Sequence, residues 1–108
     1  MAEKPRIRLP KQARRGEIIQ IKTLISHSME NGQRRDGNGS IIPRKIINTF
    51  TCEFNGKPVF RCDLDTAVAE NPYLAFAARM EESGVFRFSW QDDDGSTITT
   101  DENIVVIP

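Results

Sequence analysis

The chain contains a single histidine, His27, and a methionine two positions later, Met29. Residues two apart on a β-strand point to the same face, and an imidazole with a thioether is a donor pair that suits copper. Two donors leave a copper site short of ligands, and no cysteine lies near them in the sequence. The spacing therefore favours a structural histidine at a strand end, with a copper-binding protein as the alternative.

The two cysteines, Cys52 and Cys62, are ten residues apart. In the hairpin predicted below they share one face as diagonal neighbours, which lie about 7–8 Å apart. A disulfide needs a Cα separation below about 7 Å, and a reactive thiol needs exposure and a nearby positive charge. We therefore predict two buried, reduced thiols without chemistry of their own.

Three consecutive aspartates, Asp92–Asp94, precede Gly95. A calcium loop of the EF-hand type needs alternating acidic ligands and a bidentate glutamate at its twelfth position. That position is Asn103, so we predict a hairpin turn instead. The sequence contains no complete catalytic constellation, and we expect neither an enzyme nor a bound cofactor or metal.

The best candidate for recognition is the basic, glycine-rich part of the segment Ile25–Asn48, which lies between two apolar runs. Guanidinium groups suit carboxylate, sulfate or phosphate groups. A solvated loop whose charges only aid solubility is an equally supported alternative. The residues predicted to bind a partner are Met29, Arg34, Arg35, Asp36, Arg44 and Lys45.

Composition and charge limit the classes of function. The 108 residues have zero formal net charge, are 38% hydrophobic and 28% charged, and predict a single domain. Neutrality gives no bulk attraction to nucleic acid or membrane, and no apolar run approaches the about 20 residues of a membrane span. Residues 1–10 lack the apolar core of a signal peptide, which alone predicts a cytoplasmic protein.

The charges are distributed unevenly along the chain. Residues 1–45 hold eleven Lys/Arg against four Asp/Glu, and residues 46–108 hold four Lys/Arg against eleven Asp/Glu. A basic face is therefore possible.

Period-two alternation between turn signals predicts an all-β fold. Residues 1–16 predict an extended lead-in strand, and Glu17–His27 places alternate isoleucines on one face. Asn55-Gly56 predicts a hairpin, with a three-residue loop Asn55–Lys57 because only an odd loop brings the two apolar faces together. About seven strands in residues 1–108 predict one immunoglobulin-like β-sandwich.

A set of short motifs is spread over essentially the whole length of the chain: Pro5-Arg6-Ile7-Arg8, Gly16-Glu17, Ile21–His27, Met29-Glu30-x-Gly32, Ile42–Ile47, Asn71-Pro72-Tyr73-Leu74 and Trp90-x-Asp92-x-x-Gly95. In this combination the chain resembles the SoxZ family, a subunit of the bacterial thiosulfate-oxidising Sox system. Family members often carry His-Pro-Met where this chain has His27-Ser28-Met29.

The resemblance implies an immunoglobulin-like sandwich that pairs with SoxY in a heterodimeric sulfur carrier. SoxY holds the sulfur intermediate on a cysteine in a glycine-rich arm, which this chain lacks, so a non-catalytic subunit is implied. Such a subunit stabilises SoxY and helps present its arm to other Sox enzymes through transient contacts. The family is periplasmic, and export on the partner's twin-arginine signal is implied. A copper-binding periplasmic sandwich and a stand-alone adhesion-type module are the alternatives.

Overall fold

The computed structural model describes residues 5–25, 33, 35–42, 46–64 and 73–108, and within these residues every regular element is a β-strand. The predicted all-β sandwich is confirmed, while its immunoglobulin-like character stays a prediction. No helix in the described part of the chain is long and apolar enough to cross a membrane. The strands are β1 (Arg6–Arg8), β2 (Gln12–Arg14), β3 (Ile18–Leu24), β4 (Ile47–Phe54), β5 (Lys57–Asp63), β6 (Tyr73–Arg79), β7 (Gly84–Asp92) and β8 (Thr97–Ile107).

Two sheets divide these strands in the orders β1-β3-β6 and β2-β8-β7-β4-β5. Strand β2 runs parallel to β8, and the other pairs are antiparallel. The predicted lead-in strand is thus two strands in different sheets. Pro10 lies between β1 and β2, where the chain passes from one sheet to the other. The missing N–H of proline therefore interrupts no hydrogen-bond ladder there.

Strand β3 has the predicted alternation. Ile19, Ile21 and Thr23 are buried, whereas the residues between them are exposed or half-buried. The five-stranded sheet supplies an aromatic layer against them. Its fully buried members are Phe50, Phe86, Phe88 and Trp90.

In the β4–β5 hairpin the apolar residues of the two strands share one face, as predicted, but the loop is not the predicted one. Asn55 and Gly56 form a two-residue turn with φ of 51° and 84°, the type I′ geometry, and Phe54 pairs with Lys57. The register then shifts, so that Val59 is an extra residue on β5 and Cys52 pairs with Phe60. The expected three-residue loop Asn55–Lys57 is therefore wrong. A bulge supplies the odd residue that brings the apolar faces together.

The aspartate run forms a hairpin turn between β7 and β8, as predicted. The Gly95 N–H donates to the Asp92 carbonyl at 3.0 Å, and the Asp94 N–H donates to the Asp92 carboxylate at 3.1 Å. Asp93 has a different role. Its carboxylate accepts from the Ile46 N–H at 3.2 Å and the Asn48 side chain at 2.9 Å, which fastens the chain entering β4.

Candidate partner-binding surfaces

A small exposed hairpin holds the two described members of the predicted basic site, Arg35 and Asp36. Arg35 and Ile41 form an antiparallel bridge. Between them the Asp36 N–H donates to the Ser40 carbonyl at 2.8 Å. One Asp36 carboxylate oxygen accepts from the N–H groups of Asn38 at 2.8 Å and Ser40 at 3.0 Å. Asp36 therefore holds the turn together, which is the local backbone capping typical of aspartate in turns.

The Arg35 guanidinium is oriented by this turn. Its Nη1 donates to the Gly39 carbonyl at 2.7 Å, and Gly39 has the positive φ of 80° that the turn requires. One of five guanidinium donors is used in this contact. The arrangement thus presents one fixed, exposed cation beside a carboxylate that is engaged in the turn.

The other predicted site residues lie outside the described residues. These are Met29, Arg34, Arg44 and Lys45, and His27 of the copper alternative is also among the residues that are not described. Their predicted roles stay predictions. Among the described residues, no group of three or more His, Cys, Asp or Glu is arranged to hold a metal ion.

A second basic surface lies on the three-stranded sheet. The charge asymmetry of the sequence allowed a basic face but did not locate it. We define the basic sheet face as the outer surface of the three-stranded sheet, where none of the exposed strand residues is acidic. Arg8 lies directly opposite Lys22 across the β1–β3 pair. Its exposed residues are Arg6, Arg8, Ile18, Gln20, Lys22, Tyr73, Ala75, Ala77 and Arg79.

Two signals in the sequence could have found this face. Arg6 and Arg8 are two apart, so on a strand they share a face. The basic excess of residues 1–45 pointed the same way. Only the topology shows that β1 and β3 pair with each other while the acidic β8 lies in the other sheet.

A groove of about 300 Å³ runs along the β1–β3 pair. Its lining residues are Arg6, Arg8, Lys22, Thr23 and Tyr73, together with the apolar Ile7 and Leu24. The groove therefore combines cationic hydrogen-bond donors with apolar contact area, which is the chemistry of a surface that recognises carboxylates.

The outer surface of the five-stranded sheet differs because two of its cations are paired with carboxylates. Arg87 donates to both carboxylate oxygens of Asp101, from Nε at 3.0 Å and Nη2 at 3.2 Å. This hydrogen bonding lowers the pKa of Asp101 and raises that of Arg87. Arg61 lies 3.5 Å from Asp63. Opposite charges on this sheet thus neutralise one another locally.

Both cysteines are free, as predicted. Cys52 pairs with Phe60, and Cys62 pairs with Phe50, so the thiols are diagonal neighbours. Cys52 is fully buried, and this burial, with the nearby charge of Glu53, raises the pKa of its thiol to about 12. Cys62 is half-buried rather than buried because β5 is the edge strand of its sheet.

Comparisons with known proteins agree with the all-β architecture. Solved structures with similar folds include a superoxide reductase (neelaredoxin) from Ignicoccus hospitalis, with a TM-score of 0.73 and 15% identity over 97% of this chain and 83% of that chain. A putative superoxide reductase from Thermotoga maritima has a TM-score of 0.72 and 14% identity over 96% of this chain and 86% of that one. At these identities the likeness shows the fold alone.

A third similar structure is the sulfur carrier protein SoxY from Chlorobium limicola f thiosulfatophilum. Its TM-score is 0.68 at 13% identity, covering 96% of this chain and 79% of that chain. No curated protein matches the chain. The family model described as sulphur oxidation protein SoxZ matches residues 7–103.

Proposed function

Because this chain belongs to the SoxZ family of sulphur oxidation proteins and is thus a subunit of the Sox system, we propose that it pairs with SoxY as the non-catalytic half of a sulfur carrier. In this role the chain stabilises SoxY and helps to present its sulfur-loaded arm to Sox enzymes. The similar fold of a SoxY structure supports a carrier built from two related sandwiches.

The state of the Cys52 thiol is the observation that carries the non-catalytic assignment. A sulfur-carrying cysteine reacts as a thiolate and must be accessible. Cys52 is 0% exposed, and a pKa of about 12 keeps its thiol protonated at neutral pH. Cys52 is therefore unsuited to carry the sulfur intermediate.

Cys62 is a poor carrier for a different reason. It lies in β5, where its strand is hydrogen-bonded to β4, and its side chain packs against the core cluster. A carrier thiol has to reach successive active sites, and a residue paired within a sheet cannot swing between them without breaking the ladder. This supports assigning the sulfur-bearing arm to SoxY.

We assign a supporting role to the exposed hairpin closed by the Arg35–Ile41 bridge, the basic hairpin. Arg35 presents an oriented guanidinium, and guanidinium groups suit sulfonate-like and carboxylate anions. Together with Arg34, Arg44 and Lys45, it would screen the anionic sulfur adduct on SoxY or contact acidic enzyme surfaces. We assign the protein to the periplasm, exported with its signal-bearing partner.

Co-purification tests the proposed pairing. When the chain is co-expressed with SoxY from the same organism, we expect an equimolar complex in size-exclusion chromatography, and we expect the chain to reach the periplasm only when SoxY is present. The chain expressed alone is the control. A chain that is stable, monomeric and periplasmic without SoxY, and that elutes separately when SoxY is present, would contradict the proposal.

A further inference from the structure

We propose that the basic sheet face is a docking surface for the acidic surface of a protein that visits the carrier transiently. The inference rests on the proposed function, because it concerns how a carrier subunit meets the enzymes it serves. We further propose that the lasting contact with SoxY lies elsewhere on the chain.

The arrangement of charge is the first argument. Directly opposed residues on neighbouring strands have Cβ atoms about 4.5–5.5 Å apart, and like charges there are destabilising. Arg8 and Lys22 are such a pair, and no salt bridge to Arg6, Arg8 or Lys22 forms among the described residues. Carboxylates from another molecule would remove the repulsion, so the face is electrostatically complementary to an acidic surface.

The shape of the face favours a protein over a small ligand. Ala75 and Ala77, opposite Lys22 and Gln20, leave the middle of the sheet flat. Tyr73 and Ile18 are 50% and 61% exposed near opposite ends of the face. Together with the groove along β1 and β3, this flat area forms a surface with an exposed tyrosine and several cations. Protein interfaces have this composition, because Tyr and Arg are enriched in them.

Single-stranded nucleic acid is a poorer fit. Its binding surfaces stack successive bases on several aromatic side chains along a basic groove. Tyr73 is the only aromatic residue exposed on this face, and the net charge of the whole chain is zero. The face therefore provides local complementarity without the general attraction that a polyanion needs.

The charge of the face favours a transient contact over a lasting one. The centres of lasting interfaces are apolar and depleted of charged residues. Here Lys22 lies on β3, the central strand of the three-stranded sheet. Opposite charge then acts mainly on the association rate, which steering raises at low salt.

A charge-reversal series in the full chain tests the docking surface. The face variant carries Arg6→Glu, Arg8→Glu and Lys22→Glu. A matched control makes the same change of charge at exposed positions in or beside the five-stranded sheet, with Lys11→Glu, Lys57→Glu and Arg61→Glu. A third variant, Arg6→Lys, Arg8→Lys and Lys22→Arg, keeps the charge.

The probe is poly-L-glutamate, followed by amide chemical shifts at about 50 mM NaCl, where charges act over more than about 10 Å. We expect shifts in β1, β3 and β6, and an affinity at least about tenfold lower in the face variant. The control and the charge-conserving variant should stay close to wild type. An equal loss in the control, or tighter binding at this face by a single-stranded oligonucleotide of the same charge, would overturn the inference.

Co-elution with SoxY separates this inference from the proposed function. If the wild-type chain does not pair with SoxY, the proposed function fails whatever poly-L-glutamate shows. If the wild type pairs and the face variant alone does not, the face is the lasting SoxY interface, and transient docking at this face is wrong. Retained pairing together with lost poly-L-glutamate binding is the result we expect.

Discussion

At the scale of single residues, Cys52 shows how burial decides reactivity. Its Cα partners on the two neighbouring strands are Phe60 and Phe88, and it is completely buried. Removing water disfavours the thiolate, and the adjacent charge of Glu53 disfavours it further, so the pKa rises from 9.0 to about 12. The burial that keeps the Cys52 thiol protonated therefore also makes the stability of the fold sensitive to alkaline pH.

We predict that ionisation of the Cys52 thiol in the unfolded state lowers the free energy of unfolding above pH 9. Between the ordinary thiol pKa of 9.0 and about 12, the folded thiol stays protonated while the unfolded thiol ionises. The unfolded state then binds fewer protons, so stability falls as pH rises, by at most about 1.4 kcal/mol per pH unit. Below pH 9 this contribution is fully retained.

Urea unfolding of the wild type and Cys52→Ala, from about pH 7 to about pH 10.5, measures the effect. The Ala variant is expected to be less stable at pH 7, by about 1–2 kcal/mol for the lost packing. Its stability should also decline less steeply above pH 9. Parallel curves for the two proteins throughout this range would show that burial of Cys52 has no effect on its ionisation.

At the scale of elements, the β4–β5 turn is fastened to the start of β7 by Asn55. Its Oδ1 accepts from the Val85 N–H at 3.0 Å, and its own N–H donates to the Val85 carbonyl at 3.0 Å. The Asn55 Nδ2 is also 3.3 Å from a Glu82 carboxylate oxygen. Gly84 leaves room for this amide, because a Cβ there would overlap the Asn55 side chain.

We predict that Asn55→Gly lowers the free energy of unfolding by about 1–2 kcal/mol, since glycine keeps the positive φ but loses the side-chain hydrogen bonds. Glu82→Ala is the matched control that removes the carboxylate acceptor of the Asn55 Nδ2 and leaves the contact with Val85. Its loss should be smaller than that of Asn55→Gly. A loss as large as that of Asn55→Gly would show that the Val85 contact contributes nothing.

At the scale of the whole molecule, two phenylalanines join the sheets along one side. Phe60 on β5 and Phe76 on β6 are stacked, with ring centroids 4.4 Å apart and planes 4° from parallel. Each belongs to an edge strand of a different sheet. Both rings also lie 6.0 Å from the buried Phe50 ring, so the stack connects the edges to the core.

We predict that Phe76→Ala lowers the free energy of unfolding by about 2–3 kcal/mol. The loss is smaller than that expected for a fully buried phenylalanine because Phe76 is half-buried. The control is Tyr73→Ala, which removes an aromatic ring from the outer face of the same strand and should cost less than about 0.5 kcal/mol. Urea unfolding compares them. Similar losses for the two variants would show that the Phe60–Phe76 stack does not hold the sheets together.

Much of the local structure could be predicted from the sequence because the signals are short in range. Alternation in β3 identified the buried face of Ile19 and Ile21, and Asn55-Gly56 identified the turn. The prediction that the apolar faces of β4 and β5 lie on the same side of the hairpin was also right, although a bulge and not a longer loop brings them together. A loop of three residues and a bulge at Val59 have the same effect on which side chains face the core, so the pattern alone cannot distinguish them.

The candidate site was less predictable. The sequence indicated both Arg35 and Asp36 as partner-binding residues. The Asp36 carboxylate accepts two N–H groups of its own turn, whereas Arg35 uses one of its five guanidinium donors there. Backbone hydrogen bonds of this kind depend on the closed conformation of the turn, which residue type does not reveal. The role of either residue in binding SoxY stays a prediction.

The sequence by itself determined the all-β class, the inward faces of the strands and, through its combined motifs, membership of the SoxZ family. Only the tertiary structure decided how the strands pair, and so which charges become neighbours. The outcome depends on contacts between residues distant in the chain. Arg8 meets Lys22 within the three-stranded sheet, whereas Arg87 meets Asp101 within the five-stranded one. Because a cation's effect depends on what lies opposite it, a chain of zero net charge has two cation–carboxylate pairs on one sheet and an uncompensated basic face on the other.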